Sequence, residues 1–315
     1  MPQHVIVTGG AGFIGSHLTD ALLAAGSEVT VVDDLSSGSA EKVPAGATLR
    51  ELDIVDRAAL DAVFEEVRPS AVYHLAAQAS VTASVADPGR DCSVNVLGTL
   101  NVVDAATKLG APLSFTSTGG ALYGDDAPLP TPEGRIPAPL APYGASKWAA
   151  EAYVNTWSLS AGVPHAVCRL GNVYGPRQSP HGEAGVVAIF SEHLHTSKTP
   201  KMFGHGTPTR DYVHVADVVG ALIAANGNRG TFNVATGVET DVLTLWNVLK
   251  AAAGSDIEPE LAELRPGELK RSCLDTSHTA SALGWRAQVP VEQGLRETYT
   301  ALVEEFERAA ARGLS

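Results

Sequence analysis

A β-branched run, a cluster of glycines and a helical stretch, "VIVTGGAGFIGSHL" at residues 5–18, constrain this chain more than any other feature. Gly9, Gly12 and Gly15 follow a strand pattern at three-residue spacing and open a helix. Glycines there permit a tight turn and let backbone N–H groups at the positive end of the helix approach a pyrophosphate. The outline then recurs: "EVTVV", "TLREL", "AVYHL", "LSFTS" and "HAVCRL" alternate with Ala/Leu-rich stretches of helical length as far as residue 170. That alternation predicts an α/β fold with a parallel, doubly wound sheet. A glycine turn between strand and helix needs no ligand, so the added weight comes from "EVTVVDD". Its Asp33 ends the second strand, where a carboxylate accepts both adenosine ribose hydroxyls and repels a 2′-phosphate, so NAD is expected over NADP.

After residue 170 the pattern loosens. Loops such as "GPRQSPHGEAG" and "FGHGTPTRDY" mix with helical stretches near 216–226, 241–253 and 291–312, which predicts a smaller domain over the carboxyl edge of the sheet. The expected division is 1–172 and 173–315, with segments from about 211–236 returning to the first part. The proline-rich run 127–144 has neither strand nor helix period and is expected to be a surface loop. A chain of 315 residues, 44% hydrophobic, buries a core without staples. Cys92, Cys168 and Cys273 are odd in number and make no C-x-x-C pair, which suits buried thiols in a reducing cytoplasm. The first four residues run straight into a strand, leaving no room for an export signal, and no apolar run approaches membrane-spanning length. A formal charge of -13 argues against a broad nucleic-acid surface while leaving a local anion pocket open. His193 and His195 would point about 200° apart on a helix, so no metal site is expected.

In "APYGASKWAAEAY", Tyr143 and Lys147 lie one helical turn apart on one face. A phenol of pKa about 10 is a poor base near neutral pH, but an adjacent ammonium favours its phenolate. A pair that merely lines a helix surface is the alternative. Its place after the fifth strand, on the ligand edge of the sheet, favours proton transfer. Asn95, among apolar neighbours, requires a partner, expected to be a backbone group near the site.

Together "TGGAGFIG", "HLAAQASV", "YGASK", "LGNVYGPRQ", "RDYVHVADV" and "RPGELKRSCLD" resemble the extended short-chain dehydrogenase/reductase family, and within it the UDP-galactose 4-epimerase group. The resemblance runs from residue 4 to about 312. It implies a Rossmann-type NAD-binding domain with a smaller C-terminal nucleotide-sugar-binding domain. It implies cofactor contacts from Gly9, Gly12, Phe13, Ile14, Gly15, Asp33, Asp53, Ile54, Ala76, Asn95, Tyr143 and Lys147. Asn172, Phe203, Arg210 and Arg265 match positions that hold the nucleotide diphosphate. Those residue types suit the work, since arginine forks match phosphate oxygens and a phenyl face stacks on uracil. A homodimer through helices around 92–110 and 144–161 is also implied.

Three reactions share this machinery: 4-epimerisation, 4,6-dehydration, and oxidation with decarboxylation of a glucuronosyl nucleotide. The dehydratases and decarboxylases resemble one another in carrying carboxylates just after the active-site hydroxyl, because elimination needs an acid and a base. This chain has Gly119, Gly120 and Ala121 there. The expected reaction is therefore 4-epimerisation of a UDP-hexose, with dehydration, decarboxylation and non-catalytic NAD binding as lesser alternatives. Ser272 matches a position whose small residues admit 2-N-acetyl sugars; UDP-glucuronate stays open as a substrate. The family's serine lies four residues before the Tyr of Tyr-Gly, which is Gly119 here. Three solutions remain: a bulge at the glycines that brings Thr118 to the site, Ser117 on the same strand, or a relaying water.

Overall fold

The computed structural model describes residues 3–181, 185–265 and 269–311. Seven strands form a parallel sheet: β1 (His4–Thr8), β2 (Glu28–Asp33), β3 (Thr48–Glu51), β4 (Ala71–His74), β5 (Leu113–Thr118), β6 (His165–Leu170) and, returning late in the chain, β10 (Gly230–Val234). Their spatial order is β3-β2-β1-β4-β5-β6-β10. The order reverses between β1 and β4, which leaves a crevice at the carboxyl ends of those two strands. Both faces of such a sheet must be covered, and the strands other than the edge strand β3 are accordingly largely buried. On one face, α1 (Phe13–Ala24) and α8 (Val215–Ala225) pack Leu18, Leu22, Val218 and Leu222 against Val5, Val31 and Phe232. On the other, α2 (Arg57–Val67), α5 (Thr99–Lys108) and α6 (Pro142–Ala161) bury Phe64, Val102 and Val154 against Ile6, Val72 and Phe115.

Beyond residue 170 the chain builds a second core. Strands β7 (Asn172–Tyr174), β9 (Thr209–His214) and β11 (Glu239–Asp241) make a small sheet, and β8 (Lys201–Phe203) pairs with β12 (Glu260–Ala262). Helices α7 (Val186–His195), α9 (Val242–Ala253) and α11 (Val291–Ala311) enclose Trp246, Phe190, Leu249 and Leu295 with Tyr174 and Tyr212. The remaining helices are α3 (Val81–Ala86) and α4 (Pro88–Cys92), which lead into a π-helical turn over Ser93–Gly98, and α10 (Ser277–Leu283). Among the described residues, no helix is long and apolar enough to cross a membrane.

Two sequence expectations change. Cys168 and Cys273 are buried thiols, but Cys92 is exposed, because it ends the short surface helix α4. The run is irregular from 127 to 141, as its composition predicts, while Pro142 to Gly144 open α6 and part of the run reaches the interior. Thr131 is buried, and the Glu133 carboxylate accepts the Asn233 N–H of β10 at 2.9 Å. A deletion-tolerant surface loop would make no such contact.

Behind the β1–β4 crevice, His74 joins three elements. Thr99 Oγ1 donates to Asn95 O, so it accepts from His74 Nε2 at 2.9 Å. Thr8 Oγ1 accepts the Ala76 N–H and donates to His74 Nδ1 at 2.7 Å. The ring is therefore neutral, and burial together with the Lys147 charge lowers its pKa to about 3. Burial also lowers His165 to about 4. Depressed histidines stabilise fully above their unfolded value of about 6.5 and lose that stability as pH falls toward the folded values. Each group is expected to remove about 2 kcal/mol of stability between pH 7 and pH 5. Urea titrations across that interval check this: His74→Gln should shallow the pH slope, and an unchanged slope excludes His74 as the titrating group.

Candidate active site

The crevice opens into a cavity of about 860 Å³ that runs from Asp33 to Tyr143 and Lys147. The glycine loop forms its floor. Gly9 adopts φ +74°, and a Cβ on it would fall 2.5 Å from Ala76 N at the end of β4. A Cβ on Gly15 would fall 2.1 Å from Gly9 O, so the start of α1 lies directly against the loop. Gly12 precedes the helix with no side-chain cap, which leaves its first N–H groups directed at the cavity. Asp33, only 7% exposed, accepts Ala11 N–H and Leu35 N–H through its two oxygens, both at 2.9 Å. Burial raises its pKa, against those two backbone bonds.

Gly9, Gly12, Phe13, Ile14, Gly15, Asp33, Asp53, Ile54, Ala76, Tyr143 and Lys147 all line this one cavity. Asp53 also caps its own turn, accepting the Val55 N–H. Asn95 stands behind the wall. Its amide exchanges hydrogen bonds with the backbone of Gln78, N–H and C=O both at 2.9 Å, and donates to Asp91 Oδ1 and Ser146 Oγ. It braces the β4 loop against α6, and its expected backbone partner is Gln78.

Helix α6 begins at Pro142, whose fixed φ and missing N–H suit a first helical position. Tyr143 and Lys147 therefore occupy its first two turns on the cavity side. Lys147 Nζ donates to Thr116 O at 2.9 Å and lies 4.7 Å from the Phe115 ring centroid. One turn further, Glu151 accepts Ser117 Oγ–H at 2.5 Å and pairs with Arg169 at 2.6 Å, all three buried. Arg169 also donates to Tyr123 Oη at 2.6 Å. Sequence reasoning missed Glu151 and Arg169. The signal was present, since Glu151 continues the four-residue spacing of Tyr143 and Lys147 and "HAVCRL" carries an arginine into an otherwise apolar strand.

No bulge forms at the glycines. Strand β5 stays in register with β6 through Thr118, and Gly119 N–H donates to Leu170 O at 2.7 Å. The chain turns directly after the strand, where Thr118 Oγ1 accepts the Ala121 N–H. Nor do both glycines widen the cavity: a Cβ on Gly119 would fall 2.3 Å from Leu274, and packing on Leu274 excludes one. Thr116 and Ser117 line the main cavity; Thr118 does not.

The other expected substrate residues lie outside that cavity. Arg210 donates to Thr209 O rather than pairing with Asp211, whose carboxylate holds Thr236, Gly237 and Leu274. The Arg265 guanidinium stacks on the Phe203 ring at 3.7 Å. Pro266, Gly267 and Glu268 of the "RPGEL" motif lie outside the described residues. Ser272 shares a small crevice with Gly119, Gly120 and Tyr123, and Asn172 Oδ1 approaches Gly120. His193 bonds Ile189 O and the His195 ring packs at a tilt against Phe306, so the two rings serve different contacts.

This is the site of a dinucleotide-binding α/β enzyme with a tyrosine–lysine pair. The glycine cradle, with no room for a Cβ at Gly9 or Gly15, and the carboxylate at the end of β2 fit NAD. The chain belongs to the NAD dependent epimerase/dehydratase family, which its residues 5–235 match. It is 44% identical over 304 residues to the UDP-glucose 4-epimerase of Mycolicibacterium smegmatis, covering 94% of this chain and 97% of that one. The UDP-glucose 4-epimerase of Thermotoga maritima, solved with UDP-glucose, superposes with a TM-score of 0.94 at 43% identity over 96% of this chain and 99% of that one. The Thermus thermophilus UDP-glucose 4-epimerase, solved with NAD, gives 0.87 at 43% identity over 95% and 98%.

Proposed function

We propose that this chain is an NAD-dependent UDP-hexose 4-epimerase whose proton-transfer group is Tyr143. The observation that carries this reading is the distribution of acids around the cavity. Among the described residues, its acidic lining is Asp33, Asp34 and Asp53, all at or just beyond the ends of β2 and β3. Tyr143 and Lys147 line the same cavity with no carboxylate on residues 119–121. Elimination or decarboxylation needs further acid–base groups; removing and returning one hydride does not.

Bound NAD supplies the chemistry of accepting a hydride from C4 of the sugar and giving it back. Tyr143 takes the 4-hydroxyl proton as the ketone forms and restores it to the other epimer. Lys147, fixed by Thr116 O, holds a positive charge on the same helix face as that phenol and would bind the ribose hydroxyls of NAD. The bridging hydroxyl must accept from the sugar and donate to Tyr143. Ser117 has given its proton to Glu151 and is left as an acceptor only. Thr118 spends one lone pair on Ala121 N–H, and among the described residues its proton has no acceptor; Ser117 and not Thr118 lines the cavity with Tyr143, so Thr118 serves as the bridge only where the sugar reaches the end of β5. Arg210, Arg265 and Asn172 then hold the diphosphate, with Arg265 leaving the Phe203 face for uracil to take.

UDP-glucose and UDP-galactose are the first substrates of this reading. Ser272, small at the position the family resemblance ties to 2-N-acetyl sugars, favours UDP-GlcNAc as a second. Incubating the purified protein separately with UDP-glucose, UDP-GlcNAc and UDP-glucuronate and resolving the products tests it. Epimerisation of the first two is expected, with Tyr143→Phe lowering turnover by at least about 10³-fold and Thr118→Val by about 10²-fold. An active Tyr143→Phe enzyme would overturn the assignment.

The partner is a second copy of this chain. Leu97 in the π-helical turn and Trp148, Tyr153 and Leu159 on α6 are exposed on adjacent elements, an apolar area that suits a homodimer. Sedimentation should give the mass of two chains, and a monomer at micromolar concentration contradicts this. The three unpaired thiols suit a reducing cytoplasm, which cell fractionation checks.

A further inference from the structure

The segment after β7, Gly175–His181, crosses the adenosine end of the cavity, where Gln178, Ser179 and His181 join Asp33, Asp34 and Gly38 in its wall. Four side chains from three distant elements fasten it. His17 on α1 bonds Pro176 O at 2.8 Å, and Lys42, which also lines the cavity, donates to Arg177 O at 3.0 Å. Asp20 on α1 pairs with the Arg177 guanidinium at 2.6 Å, and Glu305 on α11 accepts the Arg177 N–H at 3.2 Å. Arg177 itself has φ +65°, a left-handed conformation that a non-glycine residue keeps only where its surroundings impose it. Here both of its backbone polar groups and its guanidinium are held by residues far away in sequence.

We propose that Gly175–His181 is a strap that keeps the cofactor in place between half-reactions, and that Asp20, Lys42 and Glu305 are positioning residues that close it through Arg177. The proposal rests on the epimerase reading. An enzyme that lifts a hydride and returns it to the same sugar must not lose the reduced cofactor in between. His17, Asp20, Arg177 and Glu305 do not line the cavity, so these fastenings govern retention without touching the reacting carbon.

The test uses full-length protein purified with its NAD, no sugar nucleotide present, and follows NAD release on dilution by ultrafiltration. Asp20→Ala combined with Glu305→Ala removes two fastenings outside the cavity wall. Arg177→Gly is the second variant, because glycine tolerates φ +65° and the fold is kept. Release about tenfold faster than wild type is expected from both, with turnover restored to wild type by excess NAD. Release within twofold of wild type in both variants overturns the proposal, as does a loss of turnover that excess NAD leaves in place. Because release is read without substrate, failure of the epimerase reading appears separately, in the product assay.

Discussion

Everything at this site depends on how α6 is seated on the sheet. Three buried polar contacts set it: Lys147 on Thr116 O, Glu151 on Ser117 and Arg169, and Ser146 on Asn95. A buried charge is tolerated only with partners, and removing one partner of a buried pair typically costs about 3–5 kcal/mol. The helix therefore has one register against β5 and β6, and Tyr143 inherits its place from that register. The glycine loop supplies the matching constraint below, since contact between Gly9, Gly15 and the end of β4 leaves no freedom in where α1 begins. The floor of the cavity and helix α6 are thus each fixed by contacts that allow little alternative.

The six strands β1 to β6 were legible because buried parallel strands read as β-branched runs between helical stretches. The residues that line the cavity floor were legible for a related reason: a glycine against a backbone and a carboxylate at a strand end carry their geometry in their residue type. The short strands β7, β8, β11 and β12 have three residues each, too few for any period to show. Gly119 is the instructive failure. Its role is set by Leu274, a contact that no local pattern announces, and the chain beside it enters a turn rather than a bulge. The strap was equally invisible, because Asp20, Lys42, Arg177 and Glu305 meet only in the folded chain.

The stretch "STGGALYG" takes on a double meaning. Its glycines remove the carboxylates that elimination would need, and the same glycines let Leu274 and Asn172 approach the end of β5. Packing and reaction choice are satisfied together. What remains at the sugar end is a tyrosine, a fixed ammonium and hydroxyls with separate duties: Ser117 bound to Glu151, and Thr118 with its proton available.

The central claim is that one hydride leaves C4 and returns to C4 inside a closed site. UDP-glucose carrying deuterium at C4, turned over in ordinary water, tests it most directly. The account predicts that UDP-galactose forms with deuterium still at C4, because the label moves as a hydride between carbon atoms and is never released as a proton. Loss of the label to water during turnover would contradict it.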